Sequence, residues 1–390
     1  MIFAGVALAL LPPQRLSSSS SGRAKIVLVP AALPRDGLFF RTSILSTVSI
    51  MTMATTEASP FTSGTSAPEG VRTYTLGDSK LPLVVEPVQE GIVLEEWNTT
   101  NREWVEAQLL VHGGVLFRNF NLPSPADFER AAKAIYGELF GDYGDLPRNA
   151  AGEKIYESTP YPNDQMILYH NESSHLPTFP NKISFHCVTP AKVGGCTPVF
   201  DTRTALRHID PAILREFREK GLMYVRNFSK GVDPTWEAFF HTSDKATVEK
   251  MCRDAGSDFE WKDDGGLRVI NRTKAVVKHP KTMEEMFFNQ VQIHHIYCVD
   301  EDTRDGLRAL FDDQDLPRNV YFGDGSPIPD ETVQHLGEVF EKIAVRFKWQ
   351  KGDMIMLDNM LVTHARDPFE GPRQIVVAMG NMTNAADLPT

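Results

Sequence analysis

From Lys182 onward the chain is a succession of short apolar runs: "KISFHCV" (182–188), "GLMYVRNF" (221–228), "LRVI" (267–270), "KAVVKH" (274–279), "DMIMLDN" (353–359) and "RQIVVAMG" (373–380). Their length and their content of Val, Ile, Phe and Met are those of strands, and no regular helix follows each one. A doubly wound βαβ architecture is therefore not expected. Many short strands behind a helical front half predict a mainly β core, a sandwich or barrel, with helices added to it.

The front half supplies those helices. In "NTTNREWVEAQLLVHGG" Thr100 and Glu103 stand at capping-box spacing, and Gly113 and Gly114 provide a stop. "VLFRNF" (115–120) reads as a buried strand, and "SPADFERAAKAIYG" as a helix with Ser124 at the N-cap and Pro125 in its first turn. A late helix in "PDETVQHLGEVFEKIAVRF" carries an apolar stripe of Val333, Leu336, Phe340 and Ile343.

Residues 1–70 have a different composition. The segment opens with the apolar "IFAGVALALL", then runs through Ser17 to Ser21 and five basic residues, with only Asp36 and Glu57 acidic before Pro68. The apolar run is well short of the ~20 residues that a spanning helix needs. Arg and Ser enrichment with little acid is the pattern of an organellar targeting peptide. We expect a disordered segment, addressed to a plastid or mitochondrion if it is such a peptide; translation from Met51 or Met53 and a cytoplasmic protein are the alternative. After residue 70 there is no linker, low-complexity run or repeat, so residues 71–390 are expected to form a single domain.

Charge narrows the partners. A formal net charge of -11 without clustered Lys and Arg offers no footprint for nucleic acid or for stable membrane association, which leaves small molecules. The four cysteines, Cys187, Cys196, Cys252 and Cys298, form no C-x-x-C pair and read as reduced, packed thiols. Oligomeric state is left open.

"YHNESSH" (169–175) places His170 and Glu172 two residues apart. At a strand end such a pair shares one face and can bring an imidazole and a carboxylate onto one metal ion. "DNMLVTHARDPFEGPR" supplies a third donor, His364, just past an apolar strand, and Arg373 at the start of the next. Two histidines and one carboxylate on one face of an octahedron leave three open positions, the arrangement of non-haem Fe(II) oxygenases. A 2-oxo acid would take two of these and O2 the third. The distal carboxylate of the 2-oxo acid then needs a forked cation, which suits Arg373, and a hydroxyl such as that of Thr197 in "GGCTPV".

The ordered series His170, Glu172, Thr197, His364, Arg373, together with "GGVLFRNF", "GLMYVRNF", "FFNQ", "YFGDGSPIP" and "WQKGDMIMLDNMLVTHARDPFEGPRQIVVAMG", resembles the taurine dioxygenase and clavaminate synthase-like Fe(II)/2-oxoglutarate oxygenases over residues 80–383. The resemblance implies a double-stranded β-helix (jelly roll) core. It also implies Fe(II) on His170, Glu172 and His364, and 2-oxoglutarate on Thr197 and Arg373. Glu in place of the commoner Asp matches the clavaminate synthase-like branch. The implied reaction is oxidative decarboxylation of 2-oxoglutarate to succinate and CO2, coupled to hydroxylation of an unactivated C–H bond, with desaturation or cyclisation as related outcomes. Glu172 argues against a halogenase, which would have a small residue there.

Asn289, Gln290 and Arg366 are candidate substrate residues, each with a structural alternative: a turn cap for the first two and a solvent-facing arginine for the third. Tyr224 and Arg226 share a strand that would look no different if purely structural. His175 is assigned to the loop or the surroundings of the metal, and His186, His294 and His295 to structural roles, the last two on opposite faces of a strand. The competing functions are a cupin-type metal enzyme that does not use 2-oxoglutarate, a non-catalytic jelly-roll binding protein, and a protein-directed oxygenase.

Overall fold

Seven strands form the main sheet, in the order Val71–Thr75, Leu83–Pro87, Gly114–Phe117, Met354–Asp358, Thr178–Thr189, Gln374–Asn384, Tyr156–Glu157. All pairings are antiparallel except that of Leu83–Pro87 with Gly114–Phe117. The computed structural model describes residues 66–141, 154–157, 161–229 and 235–390. The disordered, targeting character expected of residues 1–70 therefore falls outside the described residues, apart from 66–70.

Period-2 alternation explains why this sheet is apolar on both faces. On the central strands Ile183, Phe185, Ile355, Leu357, Ile375 and Val377 join one core cluster. Their neighbours Met354, Met356, Val376 and Ala378 join a second, with the helices Leu94–Thr100, Arg102–His112 and Pro125–Tyr136. The first core is closed by a smaller, three-stranded antiparallel sheet in the order Ile167–His170, Val362–Arg366, Val199–Asp201. The two facing sheets form the jelly-roll core, and the fold is mainly β with flanking helices. A four-stranded antiparallel sheet, Asp258–Trp261, Leu267–Thr273, Leu222–Phe228 and Arg318–Phe322, is added between core strands.

Ser124 caps its helix as expected, accepting from the Asp127 N–H with Pro125 in the first turn. The late helix spans Asp330–Ile343 and buries Val333, Leu336 and Phe340. The capping box at Thr100 does not form. Thr100 ends one helix and donates back to the Glu96 carbonyl, while Asn101 leads into the next helix. Trp97 and Asn98 are buried against the second core, so packing extends the helical path upstream of the local capping signal. His294 and His295 are also corrected: they lie in and just after the short helix Val291–His294, not on a strand. Among the described residues no helix is long and apolar enough to cross a membrane.

Candidate active site

His364 lies on the central strand of the small sheet, directly opposite His170 in the antiparallel register, with ring centroids 4.4 Å apart. One donor atom from each of His170, Glu172 and His364 fits within a set whose members are all within 4.8 Å of one another. His170 donates from Nδ1 to the Leu168 carbonyl (2.7 Å), which fixes the tautomer and leaves Nε2 as the lone-pair nitrogen, 3.9 Å from Glu172 Oε2. Burial, and then the nearby His170, hold the pKa of His364 well below its ordinary value. Its buried Nδ1 has no protein partner among the described residues. Two imidazoles beside a carboxylate, the His364 ring kept neutral by burial and carrying an orphaned nitrogen, suit a divalent metal ion.

Glu172 reaches this position by a different route from the one expected. The strand ends at His170, so the alternation of strand side chains does not place Glu172; it sits in a turn that includes Ser173 at φ 55°. Asn359 holds that turn. Its Oδ1 accepts from the Glu172 N–H (2.7 Å), and its Nδ2 donates to the carbonyls of Glu172 (2.9 Å) and Pro180 (2.8 Å). Asn171 adds bonds from Nδ2 to the carbonyls of Asn359 (2.7 Å) and Val362 (3.1 Å), and its Oδ1 accepts from the Thr363 hydroxyl (3.1 Å). These two buried asparagines knit the turn to the strand that carries His364. Neither was singled out in the sequence, because an Asn in a loop carries no signal of a distant partner.

A cavity of about 60 Å³ opens from the three donors into the space between the sheets. Its polar walls are His170, Glu172, His364, Thr197, Arg366 and Arg373; Ile183, Phe185, Ile375 and Val377 are among its apolar walls. Thr197 is buried, and its hydroxyl oxygen accepts from Trp349 Nε1–H (3.1 Å), which leaves the hydroxyl proton to donate elsewhere. Arg373 donates from Nε to the Gly195 carbonyl (3.1 Å). Burial, and then the charge of Arg366, lower its pKa to about 10. Among the described residues no carboxylate pairs with Arg373. Gly195 has φ +68°, and a Cβ there would lie 3.1 Å from Arg373 Nε, so the arginine crosses a position that only glycine leaves open.

A second cavity, of about 430 Å³, shares Ile167, His170 and Glu172 with the first. Tyr161, Gln165, Gln290, Gln292, Asp300 and Arg318 also line it. Gln290 thus faces the larger cavity, while its Nε2 donates to the Asn171 carbonyl (3.0 Å). Asn289 lines neither cavity; its Oδ1 accepts from the Val291 N–H (3.0 Å), which makes it a turn cap. Arg366 is buried beside the small cavity rather than solvent-facing. His186 stacks on Phe128 and bonds to the Asp353 carbonyl, away from the donors. His175 packs against Tyr224 and His294 outside the donor set, and Arg226 stacks on Phe228 and Phe239. All four cysteines are free.

A jelly roll with two histidines and a carboxylate gathered at one end of its inter-sheet space is the framework of a non-haem Fe(II) enzyme. Comparison with known proteins agrees. The chain belongs to the taurine catabolism dioxygenase TauD, TfdA family, whose profile matches residues 78–379. It is 37% identical to the dapdiamide synthesis protein DdaC of Enterobacter agglomerans over 268 residues, 68% of this chain and 82% of that one. It is 30% identical over 291 residues to a clavaminate synthase-like protein of Arabidopsis thaliana, covering 72% of this chain and 85% of the relative. Among solved structures, the PvcB protein of Pseudomonas aeruginosa superposes with a TM-score of 0.51 at 16% identity, covering 84% of this chain and 98% of the other, which shows the shared fold.

Proposed function

We propose that residues 71–390 form one oxygenase domain that hydroxylates a C–H bond of a small, amino-acid-like or specialised metabolite, with conversion of 2-oxoglutarate and O2 to succinate and CO2. In this reading His170, Glu172 and His364 hold Fe(II), and Arg373 and Thr197 bind the distal carboxylate of 2-oxoglutarate. The bound metal supplies O2 activation. The chain's own residues do the rest: the Leu168 carbonyl orients His170, the Asn359 amide fixes Glu172, and the apolar walls exclude water from the small cavity. The observation that carries the proposal is that one 60 Å³ cavity joins the three donors to the half-buried guanidinium of Arg373, which no described carboxylate pairs with. A cation partly withdrawn from water beside apolar walls is stabilised by an anion, and a forked guanidinium fits a carboxylate.

The adjoining 430 Å³ cavity is the substrate site in this reading. Apart from Glu172 among the metal donors, its walls carry the carboxylate of Asp300 and the guanidinium of Arg318, which suits a compound bearing both an acidic and a basic group. The similarity to a dapdiamide synthesis protein supports the choice of a specialised metabolite.

The test is an anaerobic titration with Fe(II) and then 2-oxoglutarate. A weak visible charge-transfer band is expected in the wild type and is lost in His364→Ala. In Arg373→Ala the Fe(II) affinity should stay near wild type, while the 2-oxoglutarate concentration for half-saturation rises about 100-fold, as for loss of a charge-assisted pair. Unchanged cosubstrate dependence in that variant would remove Arg373 from the 2-oxoglutarate site.

A further inference from the structure

Arg366 closes the strand that carries His364, at a place where the register with the His170 strand shifts. Its side chain is neither solvent-facing nor directed into the larger cavity. It is 7% exposed, and its guanidinium is spent on main-chain carbonyls: Nη1 donates to Tyr161 (3.1 Å), and Nη2 to Pro162 (2.5 Å) and Gln165 (2.8 Å). Those three residues belong to the segment that walls the 430 Å³ cavity. On its other side Arg366 lines the 60 Å³ cavity beside Arg373. The Cζ atoms of Arg366 and Arg373 lie 5.3 and 5.4 Å from the Phe369 ring centre, and among the described residues neither guanidinium has a carboxylate partner.

We propose that Arg366 is a positioning residue that clamps the Tyr161–Gln165 wall of the substrate cavity, and that an anion in the small cavity tightens the clamp. The inference rests on the cosubstrate reading given above. Two like charges facing one small, largely apolar space, Arg366 buried and Arg373 half-buried, repel each other, and the carbonyl dipoles compensate Arg366 only in part. A dianionic 2-oxo acid between the metal donors and Arg373 supplies the missing negative charge and lowers the free energy of the buried Arg366 side chain. That side chain fastens the substrate wall, so cosubstrate binding orders a surface that the cosubstrate does not itself touch. The three carbonyls are met from two nitrogens, Nη1 and Nη2, a planar spread that a single lysine ammonium does not reproduce.

Hydrogen–deuterium exchange of the full chain, loaded with Mn(II) and measured with and without 2-oxoglutarate, tests this without turnover. In the wild type, 2-oxoglutarate should slow exchange in peptides covering 161–168 as well as in those covering 193–197. In Arg366→Lys the 161–168 peptides should exchange roughly tenfold faster than in wild type and no longer respond to 2-oxoglutarate, while 193–197 still does. Wild-type protection of 161–168 in the variant would overturn the clamp. A wild-type response confined to 193–197 would overturn the coupling, and that observation does not depend on the variant folding. A wild type that responds at neither place would instead overturn the cosubstrate reading, and the clamp then stands or falls on the ligand-free comparison.

Discussion

Replacing Asn359 by alanine should damage metal binding even though Asn359 offers no ligand. The side chain makes three bonds of 2.7–2.9 Å that fix both main-chain groups of Glu172 and the Pro180 carbonyl, all at a residue with no solvent exposure. At about 1 kcal/mol net for each bond, plus the cost of leaving buried main-chain groups unmet, the variant loses about 3–5 kcal/mol of stability. If part of that loss lets the turn at Ser173 relax, Glu172 no longer sits 3.9 Å from His170 Nε2, and metal affinity falls about 10–100-fold, as is common when a ligand loses its support. The assay is Mn(II) titration followed by electron paramagnetic resonance below the melting transition, with Glu172→Ala as the reference for full loss of the carboxylate. A variant that melts earlier but binds Mn(II) within twofold of wild type would refute the reasoning, because the turn would then place Glu172 unaided.

Two other perturbations separate local geometry from global stability. Gly195→Ala puts a Cβ 3.1 Å from Arg373 Nε and 2.8 Å from Ala191 Cβ at φ +68°; backbone strain of about 1–2 kcal/mol is expected, and isothermal titration should show weaker 2-oxoglutarate binding, with Fe(II) affinity retained. His186 is buried, and desolvation pushes its pKa down to about 4. Because the unfolded imidazole takes up its proton near pH 6.5, stability is fully present above that pH and falls as the pH drops toward 4, by about 3 kcal/mol at most. Chemical denaturation of His186→Gln across that window should show a shallower decline than wild type, and an equal slope would remove His186 as a cause.

The jelly roll was legible in the sequence because burial on both faces of the main sheet demands short, continuously apolar strands, and "DMIMLDN" and "RQIVVAMG" show nothing else. Helix positions were read less well where packing overrode capping, as at Thr100, whose neighbours Trp97 and Asn98 are drawn into the second core. "QIHHIY" was misread as a strand because an apolar run of that length does not distinguish a strand from one turn of helix. For the site, the spacing of His170, Glu172 and His364 pointed to metal chemistry, while the strand argument for Glu172 did not hold and Asn171 and Asn359 gave no warning of their part.

By itself the sequence determined which side chains are available and that the core is mainly β, a sandwich or barrel, since periodicity and chemical type are local properties written residue by residue. The tertiary structure alone decided that His364 stands opposite His170, that Asn359 holds Glu172, that Arg373 passes over Gly195, and that Arg366 ties down the wall at Tyr161. Each of these depends on hydrogen bonds between segments 178–205 residues apart, or on cross-strand register. Such pairings are fixed only when burial forces every main-chain group to find a partner.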